Sequence, residues 1–334
     1  MLEPDRVMTG APPLLKVEGL TKTFGQGRSG KVFALADVDF SLNKGETLGV
    51  VGESGSGKTT LGRTLLRLTE PSAGRVRVDG EDIAALSLSA LKPLRRRLQI
   101  IFQDPFGALN PRHTVGKVIG EPLAVHGVGS KAERAAKVRE LLDAVGLEPD
   151  AVDRYPHEFS GGQRQRIAIA RAIALEPDLV VADEPVSALD VSIQSQILNL
   201  IADLRRERGI AFLFISHDLS VVRHVSDRVA VMYFGRIVEL AETDALFAGP
   251  AHPYTAALLS AVPHVAGDAM PAIERVAVTG ELPDPSNPPS GCPFAARCPK
   301  AMDVCRRDRP ALVRRKVSER GTREVACHLF DGAG

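Results

Sequence analysis

The feature that most restricts this chain is the run Gly52-Glu53-Ser54-Gly55-Ser56-Gly57-Lys58-Thr59, followed by Thr60. It fits G-x-x-x-x-G-K-[ST], lying after the continuous apolar stretch Thr47–Val51 and before a helical pattern running to about Leu68. Glycines let successive backbone N–H groups turn toward one point, and a helix N-terminus adds its positive dipole end, so such a loop suits a phosphate chain. Lys58 supplies a point charge for β- and γ-phosphates, and the Thr59 hydroxyl is positioned to ligate Mg²⁺. A Gly/Ser turn that merely happens to precede a helix would match these four specified positions in about one per cent of chains this long.

The surrounding pattern supplies a sheet for that loop. From residue 14 to about 259, short β-like runs alternate with helical ones, which predicts an α/β domain with a largely parallel sheet. Residues 47–51, 98–102, 179–182 and 211–215 are continuous apolar runs, as expected of strands covered by helices on both faces. Between residues 104 and 158 strand signals vanish, and residues 131–145 carry apolar side chains at helical spacing up to Gly146. This stretch reads as a mostly helical insertion. Residues 1–12 read as a flexible lead, and residues 263–289 as a Pro- and Gly-rich linker or wrapped segment before a cysteine-bearing tail.

Composition narrows the setting. A length of 334 residues predicts about two domains. A net charge of +1 gives no overall field toward nucleic acid or an acidic membrane, so such a partner would need a local patch. Arg95-Arg96-Arg97 and Arg314-Arg315-Lys316 are the only dense basic clusters, and charge runs are usually solvated faces. No apolar run approaches the ~18 residues of a membrane span, and the first residues lack the basic start and apolar core of a signal peptide. The expectation is a cytosolic chain, where disulfides are rare, so Cys292, Cys298, Cys305 and Cys327 are candidate metal or cluster ligands.

Two further segments belong with the phosphate loop. The apolar run 179–182 ends in Asp183-Glu184, and a parallel sheet gathers its strand ends along one edge. Asp183 is thereby expected to reach the Mg²⁺ shell, and Glu184 the γ-phosphate side, where it could orient and deprotonate a water. Ser160-Gly161-Gly162-Gln163 opens a helix with a capping box, which accounts for Ser160 and Gln163. It leaves the glycines unexplained, since Gly in a helix costs ~1 kcal/mol relative to Ala. Close backbone approach to an anion would use them.

Together and in order, the phosphate loop, Gln103, Phe159–Gln163, Asp183-Glu184, Ser187-Ala188-Leu189-Asp190 and His217 resemble the nucleotide-binding subunit of ATP-binding cassette (ABC) transporters. The resemblance covers residues 14 to about 260. It implies a P-loop NTPase fold with a RecA-like parallel core, an antiparallel β subdomain and a helical subdomain at about 104–172, making an ATPase domain of residues 13–260. It further implies that Phe24 stacks on adenine, the alternative being a core Phe. Gln103 would contact Mg²⁺ and the attacking water, Glu184 would be the general base, and His217 would hydrogen-bond the γ-phosphate. Asp190 would lie in a loop crossing between subunits, and Ser160–Gln163 would cap ATP held by a second subunit. With Lys58, Glu184 and His217 all present, an active ATPase is expected.

The segments 103–112 and His252-Pro253-Tyr254-Thr255 resemble the branch energising oligopeptide and dipeptide importers, which also serves nickel and glutathione. That branch implies a second, non-identical ATPase, two membrane permeases, an extracellular binding protein and a peripheral location on the cytoplasmic membrane face. The rival reading is a soluble ABC ATPase acting on nucleic acid, which would need a basic, salt-sensitive surface. The four cysteines leave gaps of five, six and twenty-one residues, without the short pair usual in structural zinc sites. Cys292-Pro293 and Cys298-Pro299 are similar to the Cys-Pro steps near iron–sulfur clusters. The tail, residues 261–334, resembles the extension of peptide-importer ATPases, where four cysteines can hold a 4Fe–4S cluster; zinc and an iron-responsive regulatory role are the alternatives.

Overall fold

The computed structural model describes residues 12–25, 31–261, 280–318 and 321–331. The expected lead, apart from its last residue, and residues 263–279 of the proline-rich stretch lie outside the described residues. Twelve strands are formed among the described residues: β1 (Leu15–Phe24), β2 (Val32–Leu42), β3 (Thr47–Val51), β4 (Ala73–Val78), β5 (Glu81–Asp82), β6 (Leu98–Ile101), β7 (Leu179–Asp183), β8 (Ala211–Ile215), β9 (Arg228–Tyr233), β10 (Arg236–Glu242), β11 (Val313–Ser318) and β12 (Gly321–Val325).

They make two sheets. The larger runs β11-β12-β10-β9-β3-β8-β7-β6, and its segment β9-β3-β8-β7-β6 is entirely parallel. The smaller is antiparallel, β2-β1-β4-β5. The parallel strands are buried on both faces because successive side chains point to opposite sides. Val180 and Ala182 of β7 enter a core shared with the helices Val115–Val125, Lys131–Ala144 and Gly161–Ile173, while Leu179 and Val181 enter a second core shared with the small sheet and the helix Lys58–Leu65. The insertion between β6 and β7 is helical throughout its ordered elements.

The helix after the phosphate loop ends at Leu65, three residues short of the sequence expectation. Arg67 takes a left-handed φ of 51°, Leu68 N–H donates to Arg63 O at 2.9 Å and Arg67 N–H to Thr64 O at 3.1 Å. This helix stop normally calls for glycine. Here the buried Arg67 guanidinium donates to the carbonyls of Ile83, Ala84 and Leu86, holding a conformation that no local sequence signal announces.

The tail is less separate than its composition suggests. Hairpin β11–β12 extends the larger sheet through β10. Phe294 is buried in the first core with Cys292 and Cys298 packed against it. Pro285, in the described part of the proline-rich stretch, accepts a hydrogen bond from Phe33 N–H of β2 at 3.2 Å.

Candidate functional site

The phosphate loop turns between β3 and the helix Lys58–Leu65 on left-handed glycines, Gly55 at φ 80° and Gly57 at φ 102°. Gly57 is also fixed by space, since a Cβ there would stand 2.4 Å from the Ala34 carbonyl oxygen. Lys58 is buried, and its ammonium donates to the carbonyls of Gly52 (2.7 Å) and Glu53 (3.0 Å). Burial lowers its pKa, while Glu184, Asp183 and Glu53 pull it back up. A cation held by carbonyls of the same loop is ready to exchange them for phosphate oxygens.

Along the neighbouring strand ends the expected partners converge. Thr59 Oγ1 donates to Asp183 Oδ1 at 3.0 Å, with Asp183 buried at the end of β7 and its pKa raised chiefly by that burial. Glu184 takes a left-handed φ of 49°, uncommon for a non-glycine residue. Its carboxylate accepts from Gln103 Nε2 at 2.9 Å and lies 3.3 Å from His217 Nδ1. A cleft of about 660 Å³ is lined by Ser54, Gly55, Gly57, Lys58, Thr59, Thr60, Gln103, Glu184 and His217, together with Pro285 of the tail. Its volume suits a nucleotide-sized ligand.

The remaining expected residues lie elsewhere. Gly52 and Ser56 belong to the loop without lining the cleft: Ser56 is buried, and a Cβ at Gly52 would stand 2.2 Å from the Met232 carbonyl oxygen. Phe24 is 44% exposed at the end of β1 with Lys22 Nζ 4.8 Å from its ring centre, so it is not a core residue. Ser160 caps the helix Gly161–Ile173 with the full capping box to Gln163, and Asp190 precedes the helix Val191–Arg208. None of these lines the cleft of their own chain. Gly162 has a packing role that the sequence does not disclose: a Cβ there would come within 2.5 Å of Ile193 Cγ2, whereas at Gly161 it would meet only Leu189 at 3.5 Å.

A model of the ABC transporter family matches residues 35–187, and one of the oligopeptide/dipeptide transporter C-terminal region matches residues 238–305. A Brucella ovis protein named for peptide import ATP binding is 55% identical over 300 residues, 90% of this chain and 94% of that protein. The chain belongs to the ABC transporter ATPase family. The oligopeptide transport ATP-binding protein AppF of Bacillus subtilis is 53% identical over 306 residues, 91% of this chain and 92% of that one. Among solved structures, a dimeric ATP-binding cassette in a post-hydrolysis state with ADP and Pi is similar at a TM-score of 0.63 and 31% identity, covering 69% of this chain and 98% of that chain. No helix among the described residues is long and apolar enough to cross a membrane.

In this ABC subunit the four tail cysteines border one cavity with His252, Phe294 and His328. Burial raises the thiols of Cys292, Cys298 and Cys327, the last to about 11. Backbone N–H groups close the turns at three of these residues: Ala295 donates to the Cys292 carbonyl at 3.0 Å, Ala301 to that of Cys298 at 3.2 Å and Phe330 to that of Cys327 at 3.2 Å. His328 has both ring nitrogens engaged, by Asp331 and by the Asp308 carbonyl. Among the described residues no three His, Cys, Asp or Glu side chains are grouped so as to hold a metal ion, which supports neither the 4Fe–4S reading nor the zinc alternative.

Sequence reasoning missed the contacts by which Tyr254 and the tail residue Arg297 reach the loop. Glu53 N–H donates to Tyr254 Oη at 2.9 Å, and the Glu53 carboxylate pairs with Arg297. One clue was available: an acidic side chain inside a loop made for anions calls for a nearby cation.

Proposed function

We propose that this chain is the ATP-hydrolysing subunit of a peptide importer, working at the cytoplasmic face of the membrane with a second, non-identical ATPase and two permeases, supplied by an extracellular binding protein. The observation that carries the reading is the joining, in one chain, of an ABC transporter match, with a cleft lined by the phosphate loop, Gln103, Glu184 and His217, and an oligopeptide/dipeptide transporter C-terminal region.

Lys58 and the amides of residues 54–60 hold the triphosphate, and Phe24 stacks on adenine from β1. Thr59, Asp183 and Gln103 offer oxygen donors, one of them a carboxylate, which suits Mg²⁺ sharing its shell with substrate phosphates and water. When bound, that ion neutralises charge on the β- and γ-phosphates. Glu184 orients the attacking water and takes its proton. Gln103 and His217, already on the Glu184 carboxylate, hold it in the orientation that this transfer requires. Ser160, Gln163 and Asp190 are exposed, with Gly161 and Gly162 half-buried between the first two, and this face serves the nucleotide of a partner ATPase subunit, so hydrolysis waits for two subunits to close.

Four thiols, the donors that iron–sulfur clusters take, border one cavity of the C-terminal extension. We propose a 4Fe–4S cluster on Cys292, Cys298, Cys305 and Cys327. It would hold the tail together and supply no redox step.

The test is uptake of di- and oligopeptides by the assembled transporter carrying Lys58→Ala or Glu184→Gln, with nickel and glutathione as competing cargoes. Loss of peptide uptake together with ATPase activity is expected; uptake unchanged by either variant defeats the proposal.

A further inference from the structure

Glu53 is gripped from two directions by residues within the stretch 238–305 that matches the transporter C-terminal region, Tyr254 and, in the tail, Arg297. Its backbone N–H goes to the Tyr254 phenol, and its carboxylate accepts both terminal nitrogens of Arg297, Nη1 to Oε2 at 2.9 Å and Nη2 to Oε1 at 3.1 Å. This fork-to-fork pair joins positions 244 residues apart, with the Arg297 side chain only 11% exposed. Arg297 also donates to Tyr233 Oη at 3.3 Å. Its own backbone N–H donates to Phe294 O, and the Phe294 ring meets Tyr233 and Tyr254 at centroid distances of 5.3 and 5.4 Å. Arg297 is therefore fixed before it touches the loop.

The consequence falls on phosphate binding. Glu53 contributes the second carbonyl that holds the Lys58 ammonium, so its main-chain position helps set where that cation waits. A carboxylate in this loop would repel a triphosphate unless a cation cancelled it. The guanidinium cancels it and freezes it at once, which lowers the reorganisation that binding demands.

We propose that Arg297 is a positioning residue for nucleotide binding: acting through Glu53, it pre-forms the phosphate loop and makes ATP affinity depend on the C-terminal extension. This rests on reading the cleft as the ATP site. The test measures affinity for a fluorescent ATP analogue with Mg²⁺ in full-length wild type, K58A, R297A, R297M (which keeps the aliphatic stem), R297K, E53Q and E53Q/R297A, alongside melting temperatures. R297A and R297M should bind about tenfold more weakly, and R297K should recover part of that loss because it restores a point charge without the fork. In the E53Q background, R297A should change affinity less than twofold. In the assembled transporter, the R297M KM for ATP should rise with kcat nearly unchanged.

Affinity within twofold of wild type for folded R297M would overturn the proposal. So would an equal loss in the E53Q background, since Arg297 would then be acting only on general structure. The two failures are separable: if wild type and K58A alike bind no analogue, the reading of the cleft fails; if wild type binds and R297M binds equally well, only the positioning role fails.

Discussion

The tail is tied to the core by a buried ion pair whose removal has a calculable effect. Arg323 of β12 donates through Nη1 to Glu239 Oε1 at 3.0 Å and to the Gly249 carbonyl at 2.6 Å, and through Nη2 to the Ala245 carbonyl at 3.2 Å. The two side chains are 3% and 0% exposed. Arg323→Ala strands a buried carboxylate, which typically costs ~3–5 kcal/mol. Two donors remain on Glu239, the N–H groups of Ala251 and His252 at 2.9 and 2.8 Å, so the lower end, about 3 kcal/mol, applies. With an unfolding entropy of roughly 0.7 kcal/mol/K for a chain of this size, that loss lowers the melting temperature by ~4 °C. Calorimetry on the full-length protein measures it, and hydrogen exchange should show β12 amides opening first. Glu239→Gln in the Arg323→Ala background should recover about half of the loss, because an amide tolerates burial without a cation. A melting temperature within 1 °C of wild type, or single-variant effects that simply add, would refute the reasoning.

Other expectations are more direct. Lys58→Ala should weaken ATP binding by at least about a hundredfold, measured by titration calorimetry, since among the described residues no other ammonium lines the cleft. Glu184→Gln should reduce ATP turnover roughly a hundredfold or more while leaving ATP affinity within a few-fold, measured by single-turnover hydrolysis. Chelating Mg²⁺ with EDTA should abolish hydrolysis and restoring it should recover the rate, measured by phosphate release. Gly162→Ala should destabilise by about 1–3 kcal/mol through its clash with Ile193, read from urea midpoints, and Ile193→Ala in the same chain should relieve much of that cost.

Much of this site is legible in sequence because its information is local. The turn at Gly55 and Gly57, the lysine after it and the carboxylates ending β7 each announce themselves within a few residues, and the parallel sheet then gathers them without any further signal. Two kinds of feature escape. Where a long-range contact replaces a local rule, as with Arg67 closing a helix from a left-handed conformation that usually belongs to glycine, the boundary drawn from sequence runs past the real one. Where one residue answers two demands, sequence shows only one of them: Gly162 reads as an anion contact, and its packing on Ile193 needs the fold to be visible. Arg297 and Arg323 carry no local pattern at all, since their partners lie 244 and 84 residues away.

The hairpin β11–β12 also changes which strand borders the large sheet: β11, whose sequence carries Arg314-Arg315-Lys316, takes the place of the apolar β10 at the edge. Val325 and Glu324 of β12 pair with Glu239 and Leu240 of β10, occupying backbone groups that would otherwise sit bare at the border of the large sheet. Exposed borders of that kind recruit strands from other molecules. A shortened form of this protein lacking β11 and β12 would bare β10 and would therefore be expected to clump during synthesis, so the hairpin is a safeguard of solubility.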